Sequence, residues 1–254
     1  MKFTNSPNSA DLKKKSLFIR TNYGDDAIAL LQWLFEAGFT GTAVYVDTGF
    51  AAASWQERVV LGEAHARRLG FEVVHLHSKI PFSEAVLGRG SFPSVKFQWC
   101  TGLLKGLPFV DWLESVDKKG EGVILIAKRK ASALAHATLN EWIPQCEFHG
   151  DRALWHPMID VGDDERNSLL QRAGFTPLHH RSLECEPCVN STCQDWQRIQ
   201  TVDAERLHAL EVEVNVSWSE APTATTATTS SAPKTKTYLD LFYRGCGNHF
   251  GCGI

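Results

Sequence analysis

The sequence lacks any long uninterrupted apolar stretch. No run of 18 or more apolar residues occurs in its 254 residues, so no membrane-spanning helix is expected. The first residues are polar and lack the apolar centre of a signal peptide, so we expect a cytoplasmic protein. A strong net charge is also missing, because 26 basic and 29 acidic residues leave a formal charge of -3. This balance does not indicate a nucleic-acid binder, although a nucleic acid as a reaction partner stays open.

Internal repeats are absent too, but apolar residues are plentiful. They make up 43% of the chain, which is enough to build a sizeable core. Seven cysteines are present. In a reducing compartment, cysteines are more typical of metal ligands, catalytic groups or buried thiols than of disulfides.

The stretch that organises the chain covers residues 16–49. A short apolar run at residues 17–19 leads into a polar turn at residues 21–26, and apolar residues then recur at helical spacing. A second apolar run follows at residues 43–46. This order predicts a βαβ unit with parallel strands and a right-handed crossover.

Later segments continue the alternation of strands and helices. The pattern predicts an α/β fold, a Rossmann-like doubly wound parallel sheet with helices on both faces. Further strands are predicted at residues 71–76 and 122–127, a short helix or loop at 81–90, and helices at 52–69, 107–116, 163–172 and 194–213.

The polar turn is a candidate phosphate site. Backbone N–H groups in the first turn of a helix lack partners within the helix and can receive a phosphate. A strand, a turn and a helix with one glycine can equally be purely structural. The candidate contacts in the turn are Thr21, Tyr23, Gly24, Asp25 and Asp26.

Further candidates follow the predicted strands. Asp47, Thr48 and Gly49 end the second strand, at the edge where open sheets bind ligands. Asp47 can bind magnesium or a ribose hydroxyl, or it can cap the next helix. Arg129 can reach a phosphate or lie on a solvated basic face. Cys100 is either a catalytic thiol or a packing residue.

Five of the seven cysteines form two clusters late in the chain. Cys185 and Cys188 have a chelating spacing, and Cys246 and Cys252 are flanked by glycines that let the backbone approach inorganic sulfur. These four predict a thiolate site for a [4Fe–4S] cluster or for zinc, with Cys193 as a reserve ligand. Buried or incidental thiols are the alternative.

Several segments share a resemblance to one family. They are residues 23–27, 46–49, 99–105, then 155–158 with 174–178 and 185–188, and the glycine- and cysteine-rich motif at 245–253. In these segments the chain resembles the phosphoadenosine-phosphosulfate (PAPS) reductase family of the adenine-nucleotide α-hydrolase-like superfamily. It is most similar to the phage and bacterial members that carry iron–sulfur cysteines.

The resemblance implies an adenine nucleotide, ATP or PAPS, with Mg²⁺, and a [4Fe–4S] cluster. It implies either sulfonucleotide reduction, with Cys246 or Cys252 attacking sulfur if that cysteine is not a cluster ligand, or ATP-pyrophosphatase-type sulfur transfer to an unknown acceptor. The pyrophosphate loop departs from the family at Asp25, where a lysine or small polar residue is usual, and at Ala27, where a serine would offer its hydroxyl to phosphate. An acidic side chain repels a polyphosphate unless a cation lies between them. A non-catalytic nucleotide- and cluster-binding module, or a zinc-stapled structural protein, is therefore the alternative. Whether the chain is an enzyme, and whether it forms a homodimer, stays open.

Composition and resemblance together divide the chain into three parts. Residues 1–15 are expected to be a loose leader, and residues 16–180 an adenine-nucleotide-binding α/β domain. Residues 181–254 are expected to form a small cysteine-rich C-terminal lobe. Within that lobe, residues 217–236 are rich in Thr, Ser, Ala and Pro, which is typical of a flexible linker.

Overall fold

A computed structural model describes residues 8–132 and 136–218, except for the side chain of Cys193. The described chain contains a six-stranded sheet with the order β3-β2-β1-β4-β6-β5. The strands are β1 (Leu17–Thr21), β2 (Thr42–Asp47), β3 (Glu72–His77), β4 (Val123–Ile126), β5 (Trp142–Cys146) and β6 (Arg152–Trp155).

Helices lie between most of the strands. They are α1 (Ser9–Leu12), α2 (Asp25–Glu36), α3 (Trp55–Arg68), α4 (Phe82–Arg89), α5 (Leu107–Val116), α6 (Asp163–Ala173), α7 (Cys193–Trp196) and α8 (Thr201–Val214). A π-helical turn (Thr101–Gly106) precedes α5, and 3-10 turns occur at Lys130–Ser132 and Glu147–His149. No helix among the described residues is long and apolar enough to span a bilayer.

The central strands are buried on both faces. Every residue of β1 and β4 is buried, which explains their continuous apolar runs. Because successive side chains point to opposite faces, Ile19 and Leu125 join the core under α2, α3 and α6, while Phe18 and Ile124 join the core under α5. The predicted Rossmann-like α/β fold is confirmed.

The order of the strands creates a switch point beside β1. The chain runs from β1 outwards through β2 to β3, and it then returns to the other side of β1 as β4. Both neighbours of β1 are parallel to it. The loops that follow β1 and β4 therefore diverge at one edge of the sheet and leave a crevice, where open α/β sheets bind ligands.

Two parts of the predicted pattern need correction. The helix predicted at residues 194–213 is two helices, because Gln200 adopts an extended conformation just before α8. The sequence analysis also missed β5 and β6. β5 is antiparallel to β6, is irregular between Ile143 and Cys146, and is partly exposed, so it carries no continuous apolar run.

A third apolar cluster joins the late part of the chain to the rest. Leu207, Leu210 and Trp218 pack with Phe82 and Phe92. Residues up to 218 are thus anchored on α4 and on the segment that precedes α5. The division of the chain at residues 180 and 181 stays a prediction.

Candidate functional site

A cavity of about 280 Å³ lies at the switch point between β1 and β4. Its walls come from the turn after β1, from the segment after β4, from α6 and from residues 178–184. Four parts of the chain thus meet where the topology opens the sheet. This is the usual position of a ligand in such folds.

The side chains of the turn after β1 fix its backbone. Thr21 Oγ1 accepts a hydrogen bond from the N–H of Tyr23 at 3.0 Å, and Asn22 Oδ1 accepts one from the N–H of Gly24 at 2.9 Å. Tyr23 has a positive φ of 57°, which is uncommon for a residue other than glycine. The conformation of the turn is therefore fixed by hydrogen bonds to its own side chains.

Helix α2 begins directly at the cavity. Gly24 precedes it in an extended conformation, and no side chain caps this end of the helix. The first N–H groups of a helix have no partner within the helix and carry a partial positive charge. Gly24, Asp25, Asp26 and Ala27 line the cavity, so the start of α2 borders it.

The Asp25 carboxylate is neutralised by groups from three other segments. It lies 3.0 Å from Arg58 of α3 and 3.3 Å from Arg166 of α6, and it accepts a hydrogen bond from the N–H of Leu178 at 2.9 Å. Its side chain is only 9% exposed. The Asp25 carboxylate therefore links α2 to α3 and α6, and the two arginines balance its charge.

Asp26 is paired in a similar way. Its carboxylate lies 2.8 Å from Arg129 Nε, and Arg129 also contacts Asp163 at 3.0 Å. Burial raises the pKa of Asp26, while the Arg129 guanidinium opposes this rise. Arg129 is 3% exposed and donates a hydrogen bond to the carbonyl of Val161. It thus lies on the wall of the cavity and not on a solvated face.

Positive groups outnumber negative ones around the cavity. Six cationic side chains and three carboxylates line it. The cations are Arg20, Lys105, Lys128, Arg129, Arg166 and Arg181, and the carboxylates are Asp25, Asp26 and Glu184. The formal balance of three positive charges favours an anionic ligand.

Glu184 forms a buried ion pair with Lys105 and a hydrogen bond with the turn after β1. Lys105 Nζ lies 2.9 Å from Glu184 Oε1, and both side chains are less than a tenth exposed. Asn22 donates hydrogen bonds to Glu184 and to Ser182. Burial alone would raise the pKa of Glu184, but Lys105, with Asn22 and Arg20, holds it below its ordinary value.

Lys128 is held by a neutral histidine. Its Nζ lies 2.9 Å from His136 Nε2, while His136 Nδ1 lies 3.0 Å from the carbonyl oxygen of Arg129. A carbonyl can only accept, so Nδ1 carries the hydrogen and Nε2 accepts from the ammonium. Burial and then the charge of Lys128 lower the pKa of His136 to about 4, which keeps the imidazole neutral.

The structure brings together five of the nine residues predicted to contact a nucleotide. Thr21, Gly24, Asp25, Asp26 and Arg129 line the cavity. The remaining four residues do not line it, and the reasons differ between them.

Tyr23 points away from the cavity into the core. Its ring is fully buried and lies 5.8 Å from the ring of Tyr45. Asp47 lies beside His77 and accepts a hydrogen bond from the N–H of Gly49 at 2.9 Å. Thr48 is buried and donates to the carbonyl of Glu184. Contact of these residues with a nucleotide stays a prediction.

Two of the predicted cluster ligands are within the described residues. Cys185 is half-buried and lies 3.5 Å from Thr48 Oγ1, and Cys188 Sγ accepts a hydrogen bond from the N–H of Asn190. Burial raises the pKa of the Cys185 thiol to about 12, so the thiol is protonated at neutral pH unless a metal displaces the proton.

Cys246, Cys252 and the side chain of Cys193 lie outside the described residues. Cys185 and Cys188 lie in one short loop, and Cys188 Sγ accepts a backbone N–H there. The complete set of four ligands stays a prediction.

Cys100 lies just before the π-helical turn and is half-buried. It packs against the apolar cluster that contains Trp99, and it does not line the cavity. Lys105, from the same segment, does line it. A catalytic role for Cys100 stays a prediction.

Sequence reasoning missed several residues that line the cavity. They are Arg20, Asn22, Lys105, Lys128, Arg166, Ser182 and Glu184. One signal was available, because Arg20 is a charge placed next to the apolar run of the first strand, and buried charges are rare without a partner or ligand. For the others, only the tertiary arrangement reveals the site.

Comparison with known proteins yields matches in structure alone. No protein-family model matches the chain, and no curated protein does. Among solved structures, it is similar to NMN synthetase from Francisella tularensis, at 13% identity and a TM-score of 0.48, covering 85% of this chain and 90% of that one. It is also similar to phosphoadenylyl-sulfate (PAPS) reductase from Candida auris in a phosphate complex, at 13% identity and a TM-score of 0.46, covering 64% and 74%. A third similar structure is the NH3-dependent NAD synthetase from Campylobacter jejuni, at 13% identity and a TM-score of 0.43, covering 79% and 75%. Likeness of this degree concerns the fold and leaves the ligand and the reaction to the site.

Proposed function

We propose that this chain binds an adenine nucleotide in the cavity between β1 and β4, with the phosphates at the start of α2. The observation that carries the proposal is the meeting of an uncapped helix start with a surplus of cations at the switch point. A helix start of this kind is a ready site for the phosphate groups of a nucleotide. The choice of adenine rests on the family resemblance of the sequence.

The charge arrangement supports a phosphate in spite of the two aspartates. Asp25 is neutralised by Arg58 and Arg166, and Asp26 by Arg129. The balance that remains is positive. In this proposal Mg²⁺ accompanies the phosphates, as it does for most bound polyphosphates.

The test compares two lysines that follow the same strand. Lys128 is buried and lines the cavity, whereas Lys130 pairs with the exposed Asp160 and does not line it. Lys128→Gln can still donate a hydrogen bond to His136 but removes the charge. A charge-assisted hydrogen bond contributes about 1.5–3 kcal/mol, so ATP affinity should fall about tenfold or more. Lys130→Gln should bind ATP as the unmodified chain does.

Isothermal titration calorimetry with ATP, AMP and adenosine gives the readout, with circular dichroism to check the fold of each variant. Affinity should rise from adenosine to AMP to ATP. Equal affinity for adenosine and ATP, or no binding of any of them, would contradict the proposal.

We also propose, as a second candidate, that the nucleotide site serves sulfur chemistry through a [4Fe–4S] cluster. Cys185 follows Glu184, which lines the cavity, and it contacts Thr48 at the end of β2. The proposed ligands are Cys185, Cys188, Cys246 and Cys252, with Cys193 in reserve. The activity would be sulfonucleotide reduction or ATP-activated sulfur transfer in the cytoplasm, to an acceptor of unknown identity.

Anaerobic purification followed by absorption spectroscopy and by iron, zinc and acid-labile sulfide analysis tests the cluster. Cys185→Ser and Cys188→Ser should each lower the iron and sulfide content, while Cys146→Ser, on β5 and buried in a separate core, should leave it unchanged. Zinc without sulfide would support the zinc-stapled alternative. Nucleotide binding with no bound metal would support the simple binding module.

A further inference from the structure

Three side chains with metal-binding atoms meet outside the cavity, at the end of the edge strand β3. Ligand atoms of Asp47, His75 and His77 all lie within 4.8 Å of one another. β2 and β3 pair in parallel, with Asp47 opposite His77 and Tyr45 opposite His75. Because alternate residues of a strand share a face, the carboxylate and the two imidazoles point to the same side of the sheet.

Neighbouring groups orient two of these side chains. His75 Nδ1 lies 2.8 Å from Glu63 Oε1 on α3, so its N–H donates to the carboxylate and Nε2 remains for a ligand. Asp47 Oδ1 accepts the hydrogen bond of the Gly49 N–H, which leaves Oδ2 on the side of His77. A carboxylate that holds the second nitrogen of a histidine is typical of metal sites, where it fixes the ring and increases its basicity.

The spacing suits a shared ion better than a direct contact. Asp47 Oδ2 and His77 Nδ1 are 3.8 Å apart, which is too long for a hydrogen bond. Two ligands bonded to a tetrahedral ion at ~2.1 Å lie about 3.4 Å from each other. The His77 side chain is 75% exposed, so its ring can turn by the small remaining distance without disturbing the fold.

We propose that Asp47, His75 and His77 bind a divalent transition metal of the zinc type. Glu63 positions His75, and the remaining coordination positions are open to water. Two imidazoles and one carboxylate favour zinc, cobalt, nickel or copper over magnesium and calcium, which prefer oxygen ligands. Asp47, His75 and His77 do not line the nucleotide cavity, and the proposal requires neither a bound nucleotide nor a cysteine ligand.

Cobalt is the probe, because Co²⁺ is coloured and takes the same ligands as zinc. The full chain is titrated with CoCl2 under visible absorption, and zinc is then added to displace it. His75→Gln and His77→Gln should each weaken cobalt binding by more than tenfold, and Glu63→Gln, which loses only the outer partner, by about tenfold. His208→Gln is the control, because His208 is exposed on α8 and distant in sequence from the site. It should bind cobalt as the unmodified chain does.

Cobalt bound to cysteine can be distinguished from cobalt bound to the histidines by its absorption spectrum. Cobalt bound to cysteine adds a strong near-ultraviolet charge-transfer band, which imidazole and carboxylate ligands do not give. The Cys185→Ser/Cys188→Ser double variant should therefore keep the histidine-dependent cobalt band. The proposal is overturned if the unmodified chain shows no such band, if His75→Gln and His77→Gln bind cobalt like His208→Gln, or if the cysteine variant loses all cobalt binding.

Discussion

The ring of Tyr23 lies directly against the backbone of Gly62, so that a Cβ at position 62 would overlap the ring. Tyr23 belongs to the turn that borders the cavity, and Gly62 lies in the middle of α3. The close approach explains how a tyrosine with a positive φ of 57° is kept in place. The shape of the candidate site therefore depends on a glycine in a different element.

The first prediction concerns this contact. Gly62→Ala should lower the free energy of unfolding by about 1–3 kcal/mol, because the new methyl group displaces the Tyr23 ring. Gly88→Ala, in α4, is the matched control, since nothing lies within 4 Å of its added methyl group. That variant should be more stable by up to ~1 kcal/mol through helix propensity. Urea denaturation measures both, and a stabilised Gly62→Ala protein would contradict the packing described here.

The second prediction concerns Asp25. Asp25→Asn removes the charge that balances Arg58 and Arg166 in a largely buried site. Breaking a buried pair from one side typically costs about 3–5 kcal/mol, so the urea midpoint should fall strongly. Asp11→Asn, in the exposed pair with Lys14, should change stability by less than ~1 kcal/mol. Similar losses in the two variants would show that the Asp25 network is not structural.

The third prediction concerns pH. His65 is buried and accepts a hydrogen bond from Arg68, and burial followed by the charge of Arg68 lowers its pKa from 6.5 to about 4. The unfolded chain therefore binds a proton between these two values that the folded chain excludes. This contribution to stability is complete above pH 6.5 and is lost as the pH falls towards 4, by up to about 3 kcal/mol.

Unfolding free energies measured between pH 4 and 7 test this effect. His65→Gln should reduce the slope of stability against pH by close to one proton, and His208→Gln, at an exposed position, should leave it unchanged. Part of the slope should remain in His65→Gln, because the pKa of His136 is lowered in the same direction. An unchanged slope in His65→Gln would contradict the assignment.

The fourth prediction concerns Cys100. It is half-buried against the apolar cluster of Trp99, which restricts the access of reagents to its thiol. Alkylation by iodoacetamide should therefore be slow in the folded chain and fast in urea, as followed by mass spectrometry. If Cys100 is catalytic, ATP should alter the alkylation rate, and Cys100→Ser should abolish turnover while the metal content is kept. If the Cys100 thiol is alkylated rapidly and turnover does not change, Cys100 is not catalytic.

Sequence pattern alone predicted most of the sheet. β1, β2, β3 and β4 agree with the predicted strands within about two residues at each end. β1, β2 and β4 are buried almost throughout and therefore produce continuous apolar runs, whereas β3 is partly exposed. β5 was missed because it contains Pro144 and is partly exposed, so its composition resembles a loop. β6 was missed because it begins with the charged Arg152 and offers only three apolar residues after it. The break before α8 was missed since helical periodicity continues across it.

The candidate site could be predicted only in part. Thr21, Gly24, Asp25, Asp26 and Arg129 were found because each lies at, or a few residues after, the end of a strand that the pattern revealed. Lys105 and Glu184 could not be found, since neither follows a strand and their pairing joins distant parts of the chain.

The sequence by itself determined the order of the first four strands and the helices between them, the first βαβ unit and the polar turn that begins α2. Local periodicity and turn chemistry determine these features over a few residues. Only the tertiary structure decided the net charge of the groups that surround that turn. The pattern presented Asp25 as a repulsive group beside a phosphate, whereas Arg58 and Arg166 neutralise it from two other helices. Electrostatic interaction depends on distance in space, and folding sets that distance independently of separation along the chain.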